Sequence, residues 1–414
     1  MMNCSFSMIY RQNKSKDRRI NILIHTQYYP PEIGAPQSRL SELAQGLNKK
    51  GFQVSILTAM PSYPTGKLFP GYSGLFFNEE IDGITIYRSY TYPTQSVKFI
   101  KRLLNYFSFV FSSLIRGVFL KDIDIIFTES PPLFLGVAGY LLSKLKKAKW
   151  IFNVADLWPE SIAELGLVDK KSYIYKFSQY IEGFFYRNAV LVTGQTKTIL
   201  KYINYRYPKV ATYHLSNGVI PENYRGTKQS YSKNILIMYA GLHGIAQGLD
   251  LILETAKQLL SFTEIEFQLI GEGPTKSGLI NQAQNENITN VKFMDPVPKN
   301  KIPELLANAD ILIVPLKTQL TGAVPSKLYE AMAAGKPVIL IAEGEAAEIV
   351  TDAKCGVLVV PGDNDGLKNA IIQLSKNPQD RKFMGENGRN YVIQNYNRNV
   401  IVENFIDRLI TLTS

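Results

Sequence analysis

Short apolar runs rich in β-branched residues alternate with amphipathic helical stretches along the chain, and the alternation starts afresh once. INILIHT (20–26) reads as a strand. PQSRLSELAQGLNKKG (36–51) then places Leu40, Leu43, Ala44 and Leu47 on one helical face and ends at Gly51. VSILTAM is a second strand, and GLFFNEEIDGITIYRS a hairpin turning at Asp82-Gly83. IDIIFTES, WIFNVAD and AVLVTGQ add strands, with LFLGVAGYLLSKLKK and SYIYKFSQYIEGFFYR as helices between them. After the polar stretch SNGVIPENYRGTKQSYSK (216–233), which reads as a linker, the pattern resumes. NILIMYAGL, IEFQLIGEG, NVKFMD, ADILIVPL, KPVILIA and CGVLVV are its strands, again with helices between. Such alternation implies a parallel, doubly wound sheet, because a parallel connection needs a crossover helix. The expected fold is therefore α/β: two Rossmann-like doubly wound parallel-sheet domains facing across a cleft. At 414 residues the chain also exceeds what one core accommodates. Residues 1–18 read as a disordered tail, 19–218 as the first domain and 219–396 as the second, with the final helix, about 397–414, able to pack back on the first.

Ligands of open α/β sheets bind beyond the carboxyl ends of the strands, so the chemistry is sought there. Charge narrows the ligand class. The 46 basic and 35 acidic residues leave a net +11, which favours anionic partners. With no basic helix or aromatic RNA motif, nucleic acid is set aside in favour of phosphorylated substrates or acidic lipid. The two cysteines, Cys4 and Cys355, cannot build a disulfide framework, which fits a reduced compartment. The first residues have their basic side chains after the apolar ones, the wrong order for a secretory signal. No run reaches the ~18 apolar residues of a membrane span. The nearest, 103–120, is broken by Asn105, serines from Ser108 to Ser113 and Arg116. The wider segment 97–121 carries Lys98, Lys101, Arg102, Arg116 and Lys121 around an aromatic-rich apolar stretch. It reads either as a helix lying in an anionic membrane interface or as a buried helix with basic ends.

The stretch AVPSKLYEAMAAGKP (323–337) follows the strand ADILIVPL and opens a helix. Pro at the first helical position costs little, since its missing N–H would be unpaired there. The N–H groups of Ser326 and Lys327 then lie among the unpaired donors of a helix start, where an anion such as a diphosphate is stabilised. Lys327 adds a point charge, and Glu330, three residues on, shares its face and can accept hydrogen bonds from two sugar hydroxyls. The plainer alternative is a surface ion pair between Lys327 and Glu330. In YYPPEIGAPQSRL, Gly34 permits close backbone approach to a diphosphate, or is simply a turn glycine. Glu32 and Arg39 stand beside it, Arg39 reading more readily as a solvated helix charge. Asp156 ends WIFNVAD and either faces the substrates or caps a helix beginning at Leu157 or Trp158. Glu160 and Trp158 are secondary candidates, Trp158 also reading as core. His25, His214 and His243 have no ligand spacing, so no metal site is expected. His243 is placed either against a phosphate or on the surface.

YEAMAAGKPVI, MYAGLHGIAQGLDLILE, LIGEGP and SNGV, in this order, resemble the retaining glycosyltransferases of family 4, with the GT-B fold, over nearly the whole chain. DLWPES (156–161) with AVPSKLYEAMAAGKP resembles the bacterial branch that builds capsule, O-antigen and colanic-acid units, including fucosamine transferases. The resemblance implies a hexosyltransferase-type enzyme that moves a sugar, an N-acetylated hexosamine or 6-deoxyhexosamine, from a UDP-linked donor, with GDP the alternative. It implies a lipid-diphosphate-linked glycan as acceptor, no cofactor or metal, and a cytoplasmic enzyme held at the inner face of the membrane. Catalysis is assigned to Asp156. Donor contacts are assigned to Gly34, Gly241, Gly244, Gly271, Val297, Ser326, Lys327 and Glu330, and acceptor contacts to Glu32, Arg39, Trp158 and Glu160. Two departures stand out. The family's usual pair of glutamates has its second member at Glu330 and Gly322 in place of its first. Ile245 and Gln247 occupy positions where basic residues are expected, leaving Lys327 as the candidate charge. A GT-B nucleotide-sugar 2-epimerase is the alternative enzyme.

Overall fold

The computed structural model describes residues 19–96, 99–224, 234–317 and 320–413. The tail at 1–18 with Cys4, Lys98, and 225–233 of the expected linker lie outside the described residues.

Fourteen strands form two sheets among the described residues. The first sheet contains β1 (Asn21–His25), β2 (Gln53–Ala59), β3 (Phe76–Ile81), β4 (Ile84–Ser89), β5 (Ile125–Ser130), β6 (Lys149–Val154), β7 (Leu191–Gly194) and β8 (Thr212–His214). Its order is β3-β4-β2-β1-β5-β6-β7-β8, and only β3 runs antiparallel. The β3–β4 hairpin turns at Asp82 and Gly83, at φ 53° and 73°, the two positive values that match the twist of the flanking strands. The second sheet contains β9 (Ile235–Ala240), β10 (Ile265–Ile270), β11 (Val291–Met294), β12 (Ile311–Pro315), β13 (Val338–Ile341) and β14 (Gly356–Val359). It is parallel throughout, in the order β11-β10-β9-β12-β13-β14.

The helices of the first half are α1 (Ala35–Lys49), α2 (Phe99–Phe119), α3 (Leu135–Lys146), α4 (Glu160–Glu164), α5 (Tyr173–Asn188) and α6 (Lys197–Arg206). Those of the second are α7 (Leu249–Gln258), α8 (Lys276–Asn285), α9 (Ile302–Ala307), α10 (Ser326–Ala333), α11 (Glu345–Ala353), α12 (Asn364–Lys376), α13 (Pro378–Asn395) and α14 (Arg398–Thr413). Central strands are buried on both faces, which is why β12 reads as an unbroken apolar run. On one face of the first sheet, Ile22, Phe127 and Ile151 pack with Leu40, Leu43 and Leu47 of α1 and with Val402, Phe405 and Leu409 of α14. The last helix thus covers the first sheet. On the other face Leu23, Ile126 and Phe152 pack with Leu142 and Phe185.

The chain passes between the two halves twice, and the crossings lie together through a parallel bridge of Val219 with Asn397. Arg398 holds them, donating to Ser216 O at 3.3 Å, Asn217 Oδ1 at 2.7 Å and Gly218 O at 2.9 Å. The described part of the expected linker is therefore packed backbone, and Ser216 and Asn217 are buried.

Candidate active site

Helix α10 begins at Ser326, with Pro325 in the capping position rather than inside the first turn. Ser326 and Lys327 are its first two residues, so their N–H groups have no partner within the helix. Gly335, at φ 67°, follows its end. Lys327 Nζ lies 3.0 Å from Glu330 Oε2, and the two side chains are 35% and 22% exposed. The ion pair foreseen as the plainer reading is thus present. It does not stand on open surface: Lys327 and Glu330 line a hollow with Met238, Ala240, Val314 and Ala331. Tyr224 and Tyr239 have their hydroxyl pKa values raised, first by burial and then by the charge of Glu330.

Two expected donor glycines meet there. A Cβ on Gly241 would stand 3.4 Å from Lys327 Cε and 2.6 Å from the Tyr239 hydroxyl. Gly271 has φ 144°, and a Cβ on it would lie 1.8 Å from Gly241 O. The Gly271 turn admits no side chain, and one at Gly241 would displace the Tyr239 hydroxyl, so the backbone after β9 and the backbone after β10 come together beside Lys327. Gly244 faces Gln247 instead. Val297 is half-exposed in the loop after β11, and the next basic residue, Lys299, reaches Glu42 of α1 at 2.7 Å. His243 is not a surface residue: it is wholly buried, its ring against Tyr239 and Phe293, and burial and then Lys276 lower its pKa.

The first domain presents a charged row at its strand ends. Register puts Glu129 beside Asn153 and Asn153 beside Thr193, so the three share one sheet face. Thr193 donates to Asn153 Oδ1 at 2.6 Å, Asn153 Nδ2 donates to Glu129 Oε2 at 2.5 Å, and Arg39 donates to Glu129 Oε1. With its amide oxygen turned inward, Gln195 accepts from Arg39 Nη2 at 2.8 Å and Nε at 3.0 Å. Arg39 is therefore not a solvated helix charge. It is 3% exposed, because its position on α1 is next to Leu40 on the inward side. Burial raises the Glu129 pKa against the pull of Arg39 and Asn153, and nearby Asp156 adds repulsion.

Asp156 is open to solvent just beyond β6. The surrounding protein raises its pKa while Arg39 lowers it. It caps no helix, since α4 starts only at Glu160 with Pro159 in the cap position. Glu32 is buried, and its Oε1 accepts the N–H groups of Ser62 and Tyr63, both at 2.8 Å. Gly34 opens α1 in extended backbone, where a Cβ would meet Gln37 Oε1 at 2.4 Å. Two acceptor-side candidates turn inward. Glu160 Oε1 accepts from Tyr175 at 2.9 Å, Gln179 at 3.0 Å and Tyr202. Trp158 packs edge-on to Phe134 beside the core. Glu160 is thus buried among side chains of α5 and α6, and Trp158 packs against the core.

Glu129, Asn153, Thr193 and Gln195 escaped the sequence reading. Glu129 carried the signal that singled out Asp156, an acidic residue closing an apolar strand. Among the described residues no three His, Cys, Asp or Glu side chains converge to hold a metal ion.

Two doubly wound α/β domains, with a helix start and paired glycine turns on one and a row of polar side chains at the strand ends of the other, give the GT-B fold. The sequence profile described as "Glycosyl transferases group 1" matches residues 221–391, and that described as "Glycosyl transferase 4-like domain" matches 34–214. The chain belongs to the family 4 glycosyltransferases. It is 25% identical over 344 residues to WcaI of Escherichia coli, named for colanic acid biosynthesis, covering 78% of this chain and 84% of that one. Among solved structures it superposes on sucrose-phosphate synthase from Thermosynechococcus elongatus with a TM-score of 0.77 at 18% identity, covering 96% of this chain and all of the other. Anabaena HepE, solved with UDP-glucose, gives a TM-score of 0.71 at 16% identity over 95% of this chain and 100% of that one. The epimerase alternative gains no support from these comparisons.

Proposed function

We propose that the enzyme transfers a sugar, an N-acetylated hexosamine or 6-deoxyhexosamine, from a UDP-linked donor to a lipid-diphosphate-linked glycan during surface polysaccharide synthesis, with retention of configuration. The observation that carries this reading is the junction of the α10 start, Lys327 and the Gly241–Gly271 contact: positive charge, unpaired N–H groups and closely approachable backbone converge at one place. Likeness to WcaI supports the pathway, and likeness to HepE, whose structure holds UDP-glucose, supports the UDP donor.

In the proposed reaction the bond from the anomeric carbon to the leaving phosphate oxygen breaks, and the acceptor oxygen bonds that carbon on the same face. The acceptor proton passes to the departing phosphate oxygen. Lys327 and the N–H groups of Ser326 and Lys327 stabilise the diphosphate charge as it develops, in place of a metal. Glu330 exchanges its ion pair with Lys327 for the donor ribose hydroxyls. Asp156, held beside the Arg39–Glu129 pair, orients the acceptor hydroxyl, and Glu32 shapes the loop around Gly34.

The membrane part of the reading rests on α2. Ile100, Leu104, Phe107, Phe111, Ile115 and Val118 recur every three or four residues, and all are exposed, with Ile100 at 72% and Phe111 at 67%. Its inner face packs Phe109 and Val110 against Ala59, Leu135 and Ala138, so the helix carries a second apolar stripe that faces outward, which packing alone does not require. Leu141 and Leu145 of α3 and Tyr173, Ile174, Phe177 and Tyr180 of α5 are exposed too. Lys101, Arg102, Lys144, Lys147 and Lys176 accompany them, and the one acidic residue in these three helices, Glu182, is buried. An anionic lipid surface fits this combination. No helix among the described residues is long and apolar enough to cross a membrane.

A thermal-shift screen of UDP- and GDP-sugars tests the donor assignment, since a ligand of the native state raises the melting point. A UDP-sugar should stabilise the wild type and lose that effect in Lys327→Ala. Equal stabilisation of both proteins would refute the seat.

A further inference from the structure

The loop that leads into α10 is held from the opposite domain. Glu164, the last residue of α4, accepts the Thr321 N–H at 2.8 Å through Oε2 and the Thr321 hydroxyl at 2.5 Å through Oε1. Thr196, which caps α6 by accepting the Ile199 N–H at 3.2 Å, donates its hydroxyl to Gly322 O at 3.0 Å. A second carboxylate crosses the other way. Glu345, the first residue of α11, accepts the N–H groups of Lys197 and Thr198 at 2.9 and 2.7 Å, filling unpaired donors at the start of α6.

Gly322 explains why the loop fits so closely. Its φ is 79°, and a Cβ would stand 2.7 Å from Ile199 Cγ1. A glutamate at 322 would be strained and driven into α6. The carboxylate beside this loop comes instead from Glu164, a residue of another domain and 157 positions away.

We infer that Glu164 is a positioning residue for the donor. Its two hydrogen bonds to Thr321 fix the backbone entering Pro325 and the first turn of α10, and they form only when the domains are together. The diphosphate seat is then completed by the acceptor domain, through a side chain that belongs to α4. Glu345 at the start of α6 reinforces the same arrangement. The inference rests on the donor seat proposed at Lys327.

The test measures UDP binding by titration calorimetry with the full chain, four single variants and one double variant. Lys327→Ala reports on the seat itself and Glu164→Ala on the clamp. Thr321→Val removes only the hydroxyl, and Glu164→Gln retains one oxygen to accept from Thr321. Losing a charge-assisted pair of hydrogen bonds should weaken UDP binding about tenfold in Glu164→Ala. Glu164→Gln should recover part of that. Glu164→Ala combined with Thr321→Val should be hardly weaker than Glu164→Ala alone, because both remove one contact. If Lys327→Ala weakens UDP but Glu164→Ala binds as wild type, the clamp is refuted and the seat stands. Wild-type binding in Lys327→Ala overturns both. Should Glu164→Ala fail to fold, Thr321→Val and Glu164→Gln decide together, and unchanged UDP affinity in both refutes the clamp.

Discussion

Glu32→Gln isolates one buried carboxyl whose charge state the fold opposes. Glu32 is 4% exposed. One oxygen takes two backbone N–H groups, and these, with Arg88, favour the ionised form. Burial outweighs them and raises the pKa from 4.5 to about 7. The folded state therefore holds this proton more tightly than the unfolded state. The group's favourable contribution is complete below about pH 4.5, the unfolded value, and is lost as the pH rises towards about 7. The shift corresponds to about 3 kcal/mol. Gln has the same shape, keeps an oxygen for Ser62 and Tyr63, and cannot titrate. At pH 5 the variant and wild type should be nearly equal in stability. At pH 8 the variant should be more stable by up to about 3 kcal/mol. Urea unfolding of both proteins at the two pH values measures this, and subtracting one from the other cancels titration common to both. A variant-minus-wild-type difference that is the same at pH 5 and pH 8 would refute the reasoning.

Two further outcomes are expected from the packing. Glu129→Ala strands the buried Arg39 guanidinium and should cost about 3–5 kcal/mol, whereas Lys257→Ala, which breaks the exposed pair with Glu286, should cost no more than ~1 kcal/mol; calorimetric melting compares them, and equal losses would contradict the buried-pair assignment. Phe111→Asp should cut partition onto anionic vesicles at least roughly tenfold, the scale of one buried phenyl ring, with the circular dichroism spectrum unchanged; undiminished binding would remove α2 from the contact.

Particular residues show how far the sequence carried the site. Asp156 was legible because a carboxylate closing an apolar strand of a parallel sheet must emerge at the ligand-binding edge. Helix spacing puts Lys327 and Glu330 on one face, and they meet there at 3.0 Å as the ion pair of the plainer reading. Arg39 was misread. One polar residue beside an apolar stripe gives no sign of a buried partner, and Glu129 lies 90 positions away. For Glu160, spacing said nothing of the tyrosines that claim its carboxylate. Composition marked α2 as apolar with basic flanks, but not that a second apolar stripe would face outward.

By itself, then, the sequence determined two doubly wound α/β domains and the order of their strands along the chain, β8 excepted. Periodicity and turn chemistry are local, and local order dictates these. Only the tertiary structure decided which carboxylates meet which donors: Glu129 with Arg39, Glu345 with the start of α6, and Glu164 with Thr321. Those partners are far apart in the chain, and each pairing follows from how whole domains pack. Gly322 joins the two levels. The sequence shows a missing side chain, and the fold gives the reason, because α6 of the other domain occupies the space where that side chain would be.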